Sequence, residues 1–346
     1  MNWKRILFFI AVGIGVLNKG VAQKLPYSVP EEKRVRVIVS TDAANEVDDA
    51  YFILHALLTP QFDVRGGVAA HFGGRRPNDL QLSYEECQRV LCHSGFEGRI
   101  ALLKGAARKM ADESTPVASD GAELIASEAM RNDSRPLYVL CGGPLTDVAS
   151  AILLHPEIAG RLTVVWTGGA PHNERAKEFN LSSDIHAANA VLASRAAFWQ
   201  IPNRVYWTVR TGTVELALKV KPCGKIGEYL FTTLMEFNEE KRNSRGWPRG
   251  EDWTLGDNPL VTVLMNTHQD TDKYDELLAP RITSDSNYEQ VEGRRKIRVY
   301  RNVDKGSHRS CLSFLPRKIR VYRNVDVRMV LEDFFAKMQL AYGRTD

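Results

Sequence analysis

"VRVIVSTDAANEVDDAYFILHALL", residues 35–58, joins an apolar run to a helical pattern through an acidic loop. The β-branched run at 35–39 predicts a buried strand. Apolar residues then recur at the spacing of one helix face: Ile53, Leu54, Leu57 and Leu58. A strand that leads into a helix is the first half of a strand–helix–strand unit, in which the two strands run parallel.

The same alternation continues along the chain. Further strand-like runs lie at 62–70, 99–105, 136–143 and 161–169, and helical patterns lie at 78–95, 121–132, 144–156 and 183–194. Strand and helix therefore alternate at least five times. The sequence predicts the α/β class, with an open, mostly parallel central sheet flanked by helices.

Polar or glycine-rich segments follow three of these strands. They are the acidic loop after 35–39, "CGGPLTD" at 141–147 and "TGGAPHNERAKEFN" at 167–180. In open α/β sheets, ligands bind beyond the carboxyl ends of the strands. We therefore expect the three segments to meet at one edge of the sheet and to form a binding site.

The acidic loop holds four carboxylates, on Asp42, Glu46, Asp48 and Asp49. Carboxylates this close repel one another unless a bound cation, a shared proton or solvation compensates them. Hard divalent cations prefer several oxygen ligands from carboxylates and carbonyl groups. The loop suits such a cation, although it lacks the spacing of an EF-hand.

The N-terminus has the pattern of a secretory signal peptide. Lys4 and Arg5 precede an apolar stretch at 6–17, and the small residues Gly20 and Ala22 suit cleavage before Gln23. An uncleaved anchor is the alternative, but the stretch is short for a membrane span. We expect residues 1–22 to be removed, and residues 23–346 to form a single domain without membrane attachment. The protein would be exported, either periplasmic or secreted.

Positive charge is concentrated near the C-terminus. Residues 294–328 carry twelve Lys or Arg and two Asp, a net charge of +10. The whole chain has a net charge of +4, so the remainder carries −6. This balance argues against a nucleic-acid partner for the body of the protein, and a basic nucleic-acid-binding tail is a minor alternative.

The basic segment contains a perfect repeat. "RKIRVYRNVD" occurs at 295–304 and again at 317–326. Its alternating "IRVY" predicts a strand, and one copy is enough to fill a single strand position. We expect the second copy to occupy it, because that copy runs directly into the helical pattern "VRMVLEDFFAKM". The first copy would then loop out.

Four ordered motifs carry a family resemblance. They are "TDAANEVDD" at 41–49, "GGPLTD" at 142–147, "TGGAPHNERAKEFN" at 167–180 and "GDNPLV" at 256–261. Together they resemble the inosine–uridine-preferring nucleoside hydrolases, over about 35–270 and again at 317–340. The resemblance implies a nucleoside hydrolase-like fold with a Rossmann-like core. It also implies a Ca²⁺-dependent enzyme that hydrolyses the N-glycosidic bond of ribonucleosides, a small-molecule substrate, and releases ribose and the free base.

The resemblance also implies the metal ligands. Asp42, Asp49 and Asp257 look like calcium ligands, and the backbone carbonyl of Thr146 resembles a further one. Asp42 would in addition orient and deprotonate a calcium-bound water. Carboxylates and amides around the sugar would stabilise the positive charge that develops on it.

Four residues resemble the family's sugar-binding groups. Asp48 is similar to the carboxylate that binds the ribose 2′- and 3′-hydroxyls, and Asn180 to its partner. Asn173 and Glu178 resemble the residues around the 5′- and 3′-hydroxyls. The match at Asn173 requires a gap of one residue.

The sequence departs from the family pattern in the first motif. Ser40 replaces the first aspartate, and the loop between Asp42 and Asp48 is two residues longer and lacks Pro-Gly. Glu46, in this insertion, either is solvated or reaches the site.

The larger departure is Gly256, which stands where many members have a histidine that protonates the leaving base. We expect His71, at the end of the second strand, to substitute as the catalytic acid. His172 is another option. Trp253 is a third, because it could stack on a purine.

Two other functions stay open. A hydrolase of the same fold could act on another ribosyl or sugar conjugate, as Gly256 and the longer loop suggest. A calcium-dependent ribose- or nucleoside-binding protein without turnover is the other alternative, although such a protein has no need of a water-activating Asp42. The resemblance further implies a homodimer or a homotetramer.

Overall fold

A computed structural model describes residues 24–265, 273–294, 296–300 and 324–343. The predicted signal peptide lies outside these residues. Within them, none of the helices has the length and apolar character needed to cross a membrane.

The described residues form an alternating series of strands and helices. The strands are β1 (Val35–Thr41), β2 (Phe62–Ala69), β3 (Leu102–Lys104), β4 (Leu137–Gly142), β5 (Leu162–Thr167), β6 (Ala197–Ile201), β7 (Arg210–Gly212), β8 (Asp252–Thr254), β9 (Tyr274–Leu278), β10 (Arg281–Ile282), β11 (Tyr288–Glu289) and β12 (Lys296–Tyr300). The helices are α1 (Asp48–Leu57), α2 (Asp79–Ser94), α3 (Asp120–Met130), α4 (Thr146–Leu154), α5 (Phe179–Ser183), α6 (Ile185–Ala193), α7 (Asn203–Tyr206), α8 (Thr213–Lys219), α9 (Gly224–Glu240), α10 (Pro259–Met265) and α11 (Val327–Tyr342).

The central sheet has the strand order β3-β2-β1-β4-β5-β6-β12-β9. Strands β1 to β6 and β12 run parallel, whereas β9 is antiparallel at one edge. The predicted fold class, an open and mostly parallel sheet flanked by helices, is confirmed. The chain reverses its direction of travel across the sheet at β1 and β4, and such a switch point is where α/β folds bind ligands.

Strand β1 lies inside the sheet, between β2 and β4. Its residues Val37 and Ile38 are fully buried, as a strand covered on both faces requires. Helix α1 packs beside it with Phe52 and Leu54 also fully buried. The acidic loop is thus fixed at both ends by the core.

The first copy of the repeat lies in the sheet. Its residues 296–300 form β12, which pairs with β6 on one side and with β9 on the other. Our expectation that the first copy loops out is therefore wrong. The two copies have the same strand propensity, so propensity does not decide which one pairs, and the first copy follows the β9–β11 segment directly. Residues 317–323 of the second copy lie outside the described residues, and Asp326 caps α11 by accepting from the Met329 amide at 2.9 Å.

Arg298, in the first copy, offers a test of this assignment. Its guanidinium lies 5.0 Å from the ring centroid of Trp199 and 4.9 Å from that of Tyr274. We expect Arg298→Ala to lower the free energy of unfolding by about 1–3 kcal/mol, because it removes buried packing and cation–π contacts. Arg320, the equivalent residue of the second copy, is the matched control, and Arg320→Ala should change stability by less than about 0.5 kcal/mol. Denaturant unfolding measures both, and a larger effect at Arg320 would place the second copy in the sheet.

Candidate active site

Three carboxylates converge at the carboxyl edge of the sheet. One ligand oxygen from each of Asp48, Asp49 and Asp257 lies within 4.8 Å of the other two, and all three residues are buried. Asp48 and Asp49 begin α1, whereas Asp257 precedes α10. Residues about 200 positions apart in the sequence thus meet at the switch point of the sheet.

The turn between β4 and α4 closes against this cluster. A Cβ atom built at Gly142 would lie 2.4 Å from Oδ2 of Asp257. One built at Gly143 would lie 3.2 Å from Cβ and Cγ of Asp42, which follows β1. Only residues without a side chain allow this close approach. The "CGG" segment therefore brings Asp42 and Asp257 to the same place.

Strand-end hydroxyls hold two of the carboxylates. Thr41, the last residue of β1, donates its hydroxyl hydrogen to Oδ1 of Asp49. Thr167, the last residue of β5, donates to Oδ1 of Asp257 at 2.5 Å. Sequence reasoning missed both threonines, although each is a polar residue at the carboxyl end of a predicted strand.

The cluster is electrostatically strained as it stands. Burial raises the pKa of Asp42, Asp49 and Asp257 well above the ordinary aspartate range, and repulsion by neighbouring carboxylates raises it further. Burial also raises the pKa of Asp48, to about 6, against the lowering effect of backbone N–H donors. Buried like charges disfavour ionisation unless an opposite charge compensates them.

A hard divalent cation fits this set of donors. Oδ2 of Asp42 is buried and has no hydrogen-bond partner among the described residues. An orphaned buried carboxylate oxygen beside three further carboxylates matches the all-oxygen ligand sets of such cations. Of the predicted carboxylate ligands, Asp49 and Asp257 belong to the cluster of three, and Asp42 lies beside Gly143 and is repelled by Asp49. Their role as metal ligands stays a prediction.

Thr146, the predicted carbonyl ligand, is the first residue of α4 and is fully buried. Its hydroxyl donates to Oδ2 of Asp184 at 2.8 Å. The role of its carbonyl group stays a prediction.

Glu178 and Asn180 lie together beside the cluster. The Glu178 carboxylate accepts from the backbone amides of Gly169 (2.7 Å), Asn180 (3.1 Å) and Leu181 (3.0 Å). The side-chain amide of Asn180 donates to the carbonyl of Thr167 at 2.9 Å. Both predicted sugar-binding residues are therefore held in fixed orientations close to the threonine that binds Asp257.

His71 is not presented as an acid. Its Nδ1 accepts from the Gly73 amide at 2.9 Å, so its ring hydrogen is on Nε2, which lies 2.9 Å from the Thr146 hydroxyl. The residue is 1% exposed, and burial lowers its pKa. The hydrogen points to Thr146, so the geometry does not support our expectation that His71 protonates the leaving base.

The other two residues expected to act in place of the family's acid histidine, His172 and Trp253, are also engaged in other contacts. His172 contacts Gln200 at 3.0 Å and stacks on Tyr288, and burial lowers its pKa to about 4. Trp253 is fully buried and stacks on Trp247. Asn173, predicted near the sugar hydroxyls, is exposed and does not line the cavity described next.

An open cavity of about 820 Å³ adjoins the acidic cluster, because Asp48 lines it. Its floor includes Asp48 and Gly256, and Glu46 lines it too, so the inserted glutamate reaches the site. Its rim includes residues that sequence reasoning missed: Arg75, Tyr206, Trp207 and Arg210. These are single residues outside any motif, and no sequence signal singles them out.

Tyr206 occupies the space that Gly256 leaves. A Cβ atom built at Gly256 would lie 2.9 Å from Cδ2 of Tyr206 and 3.2 Å from Oδ2 of Asp48. The Tyr206 hydroxyl donates to Oε1 of Glu178 at 2.7 Å. The Tyr206 ring thus occupies the space in which the resemblance places a histidine side chain at position 256. The ring fits there only because residue 256 is a glycine.

The family model of inosine-uridine preferring nucleoside hydrolases matches residues 37–332. The chain belongs to this family. The predicted enzyme class, nucleoside hydrolase, is confirmed at this level. No curated protein sequence gives a significant match.

Solved structures of nucleoside hydrolases share the fold. A plant nucleoside hydrolase is 17% identical, with a TM-score of 0.64 over 88% of this chain and 98% of its own. An inosine-guanosine nucleoside hydrolase is 18% identical, with a TM-score of 0.62 over 88% and 99%. A purine-preferring ribonucleoside hydrolase from Gardnerella vaginalis is 15% identical, with a TM-score of 0.62 over 88% and 98%.

The dependence of Gly256 on Tyr206 can be measured. We expect Gly256→His to destabilise the protein by about 1–3 kcal/mol, because the new side chain meets the Tyr206 ring. Tyr206→Ala opens that space, so the double variant should lose less stability than the sum of the single variants. Denaturant unfolding of all four proteins gives the coupling free energy. Additive effects would show that the two residues do not compete for the same space.

Proposed function

We propose that the protein is a Ca²⁺-dependent nucleoside hydrolase that cleaves the N-glycosidic bond of ribonucleosides to ribose and free base. The observation that carries this proposal is the buried carboxylate cluster below the cavity, with the unpartnered Oδ2 of Asp42. Membership of the family supports the reaction class. The donor set, oxygen throughout, supports calcium over softer metals.

The metal would be held by Asp42, Asp49 and Asp257, with the carbonyl of Thr146 as the further ligand that the resemblance implies. When bound, the cation lowers the pKa of a water molecule and offsets the charge of the cluster. Thr41 and Thr167 fix one oxygen each of Asp49 and Asp257, which leaves the other oxygens for the cation.

Asp42 is the proposed general base. Its Oδ2 has no other partner among the described residues and so can accept the proton of the attacking water. Asp48 and Asn180 would hold the ribose diol, and Glu178 a further hydroxyl. Fixed carboxylates near the sugar stabilise the oxocarbenium-like transition state, because positive charge develops there.

The rim of the cavity suits a planar leaving base. Tyr206, Trp207 and Trp247 line one part of it. Aromatic rings stack on bases of any identity. We therefore propose that this aromatic wall binds the base, and that no side chain at position 256 protonates it.

Two alternatives follow from specific observations. Gly256 and the exposed Asn173 favour a hydrolase of another ribosyl conjugate. A binding protein without turnover is disfavoured, because such a protein has no need of a water-activating carboxylate at Asp42. Export after removal of residues 1–22, and assembly as a homodimer or homotetramer, remain proposals.

Asp42→Asn tests the proposed chemistry. We expect the variant to fold and to release base at least about 10²-fold more slowly, because an amide cannot accept the proton of the attacking water. Release from a panel of ribonucleosides, with calcium and with a chelator, measures it. Asp120→Asn, an exposed carboxylate in the first turn of α3, is the control and should keep wild-type turnover. Wild-type turnover by Asp42→Asn would remove Asp42 from the mechanism.

A further inference from the structure

The large cavity is lined by four carboxyl groups, those of Glu46, Asp48, Glu178 and Asp252. Asp252 is paired with Arg210, whose Nε lies 2.6 Å from its Oδ2. Glu178 accepts four hydrogen bonds, and Asp48 accepts one from a backbone amide. Within the described part of the chain, the Glu46 carboxyl group has no hydrogen bond and no ion pair. It is therefore the acid in this cavity that is left to contact a substrate.

The longer loop between β1 and α1 holds Glu46 in a defined place. The Asn45 amide donates to the Asp42 carbonyl at 3.2 Å, and Arg76 Nη1 donates to the Ala44 carbonyl at 3.3 Å. Ala44 has a φ of 71°, in the left-handed region that residues with a side chain rarely adopt. Such a conformation persists only where its surroundings impose it. The loop thus has one fixed shape, and this shape brings Glu46 to the cavity wall.

Glu46 lies in the part of the cavity that surrounds Gly256. Burial raises the pKa of Glu46 well above the ordinary glutamate range, and repulsion by Asp48 and Asp49 raises it further. Burial also raises the pKa of Tyr206, and repulsion by neighbouring carboxylates, Glu46 among them, adds to this effect. The Glu46 carboxyl group is therefore close to Asp48 and Tyr206. These are the two residues that a side chain at Gly256 would meet.

Glu46 is not explained as the partner of a cation. Arg76 lines a second cavity, of about 160 Å³, whose wall also includes Glu46. The Arg76 guanidinium, however, donates to the Ala44 carbonyl. Lys241 lowers the pKa of Glu240, and Arg76 adds to that effect, so the charge of Arg76 acts on Glu240. A carboxyl group that is repelled by its neighbours and has no cation of its own keeps its proton near neutral pH, as a general acid must.

We propose that Glu46 is the general acid that protonates the leaving base, in place of the side chain that is missing at position 256. This inference rests on the proposed function. It assigns a catalytic role to a residue of the inserted loop, on the same side of the cavity as the Tyr206 ring. A base that stacks on the aromatic side chains then has the Glu46 carboxyl group beside it.

The proposed step balances in atoms and charge. The bond between the sugar carbon and the base nitrogen breaks, and its electron pair stays with the base. The Glu46 proton moves to a nitrogen or oxygen of the base, which leaves as a neutral molecule. The attacking water gives its hydroxide to the sugar carbon and its proton to Asp42. Solvent then carries the proton from Asp42 back to Glu46, and the second cavity, with the polar Glu86 and Glu240 in its wall, suits the water that this return requires.

The test compares substrates whose leaving groups differ in their need for a proton. We expect Glu46→Gln to lower kcat for inosine and uridine by about 10²-fold or more, the usual contribution of a general acid. The same variant should lower kcat for p-nitrophenyl riboside by less than about three-fold, because nitrophenolate leaves without a proton. Glu46→Asp keeps the acid but shortens its reach, so its activity on the nucleosides should lie between those of wild type and Glu46→Gln. The control Glu97→Gln changes an exposed carboxylate between α2 and β3 and should keep wild-type turnover on all three substrates.

Urea unfolding separates this role from a structural one and from metal binding. Glu46→Gln should be at least as stable as the wild type, because it removes a repelled carboxylate, and calcium should stabilise both proteins equally. An equal loss on nucleosides and p-nitrophenyl riboside, unchanged turnover on the nucleosides, or loss of the calcium effect in Glu46→Gln would each overturn the role of Glu46 while the proposed function stands. If the wild type releases neither base nor nitrophenol, the proposed function fails and the role of Glu46 fails with it.

Discussion

Repulsion among buried carboxylates is the constraint on which the site depends. The strand order places the ends of β1, β4 and β5 side by side, and Asp48, Asp49 and Asp257 gather there with Asp42 next to them. Hydroxyls of two strand-end threonines orient two of them, but neutral donors cannot cancel several negative charges. The carboxylate cluster therefore lowers the stability of the folded protein when no cation is bound, and a bound cation would remove this repulsion.

The remainder of the cavity is arranged around that floor. Tyr206 fills the space beside Gly256 and at the same time binds Glu178, so one side chain shapes the base end and fixes a sugar-facing carboxylate. Arg75 stacks on Phe179, the residue that follows Glu178. In the proposed function, the acidic floor serves the sugar and the aromatic side chains serve the base.

The sequence was sufficient for the fold class and for the acidic site. Short strand-like runs, each followed by a helical pattern, predict β1 to β5, and the family resemblance predicts that Asp257 joins Asp42 and Asp49. The repeat was misassigned because identical residues have identical propensity, so only the tertiary pairing of β12 with β6 and β9 distinguishes them. The position of His71 after β2 predicts nothing about its hydrogen bond to Thr146, and the role of catalytic acid stays a prediction that this geometry does not support. Arg75 reaches the cavity from a loop and Tyr206 from the end of the short helix α7, and no local sequence pattern predicts either position.

Unfolding of the wild type in urea, with calcium and with a chelator, tests the central claim most directly. A cation bound only by the folded state stabilises it by about 2.7 kcal/mol at a hundred times its Kd. We expect calcium to raise the free energy of unfolding of the wild type by about this much, and to leave Asp49→Asn unchanged. With chelator, Asp49→Asn should be at least as stable as the wild type, because it removes one of the repelling charges. Equal stability of the wild type with calcium and with chelator would contradict a calcium site at this cluster.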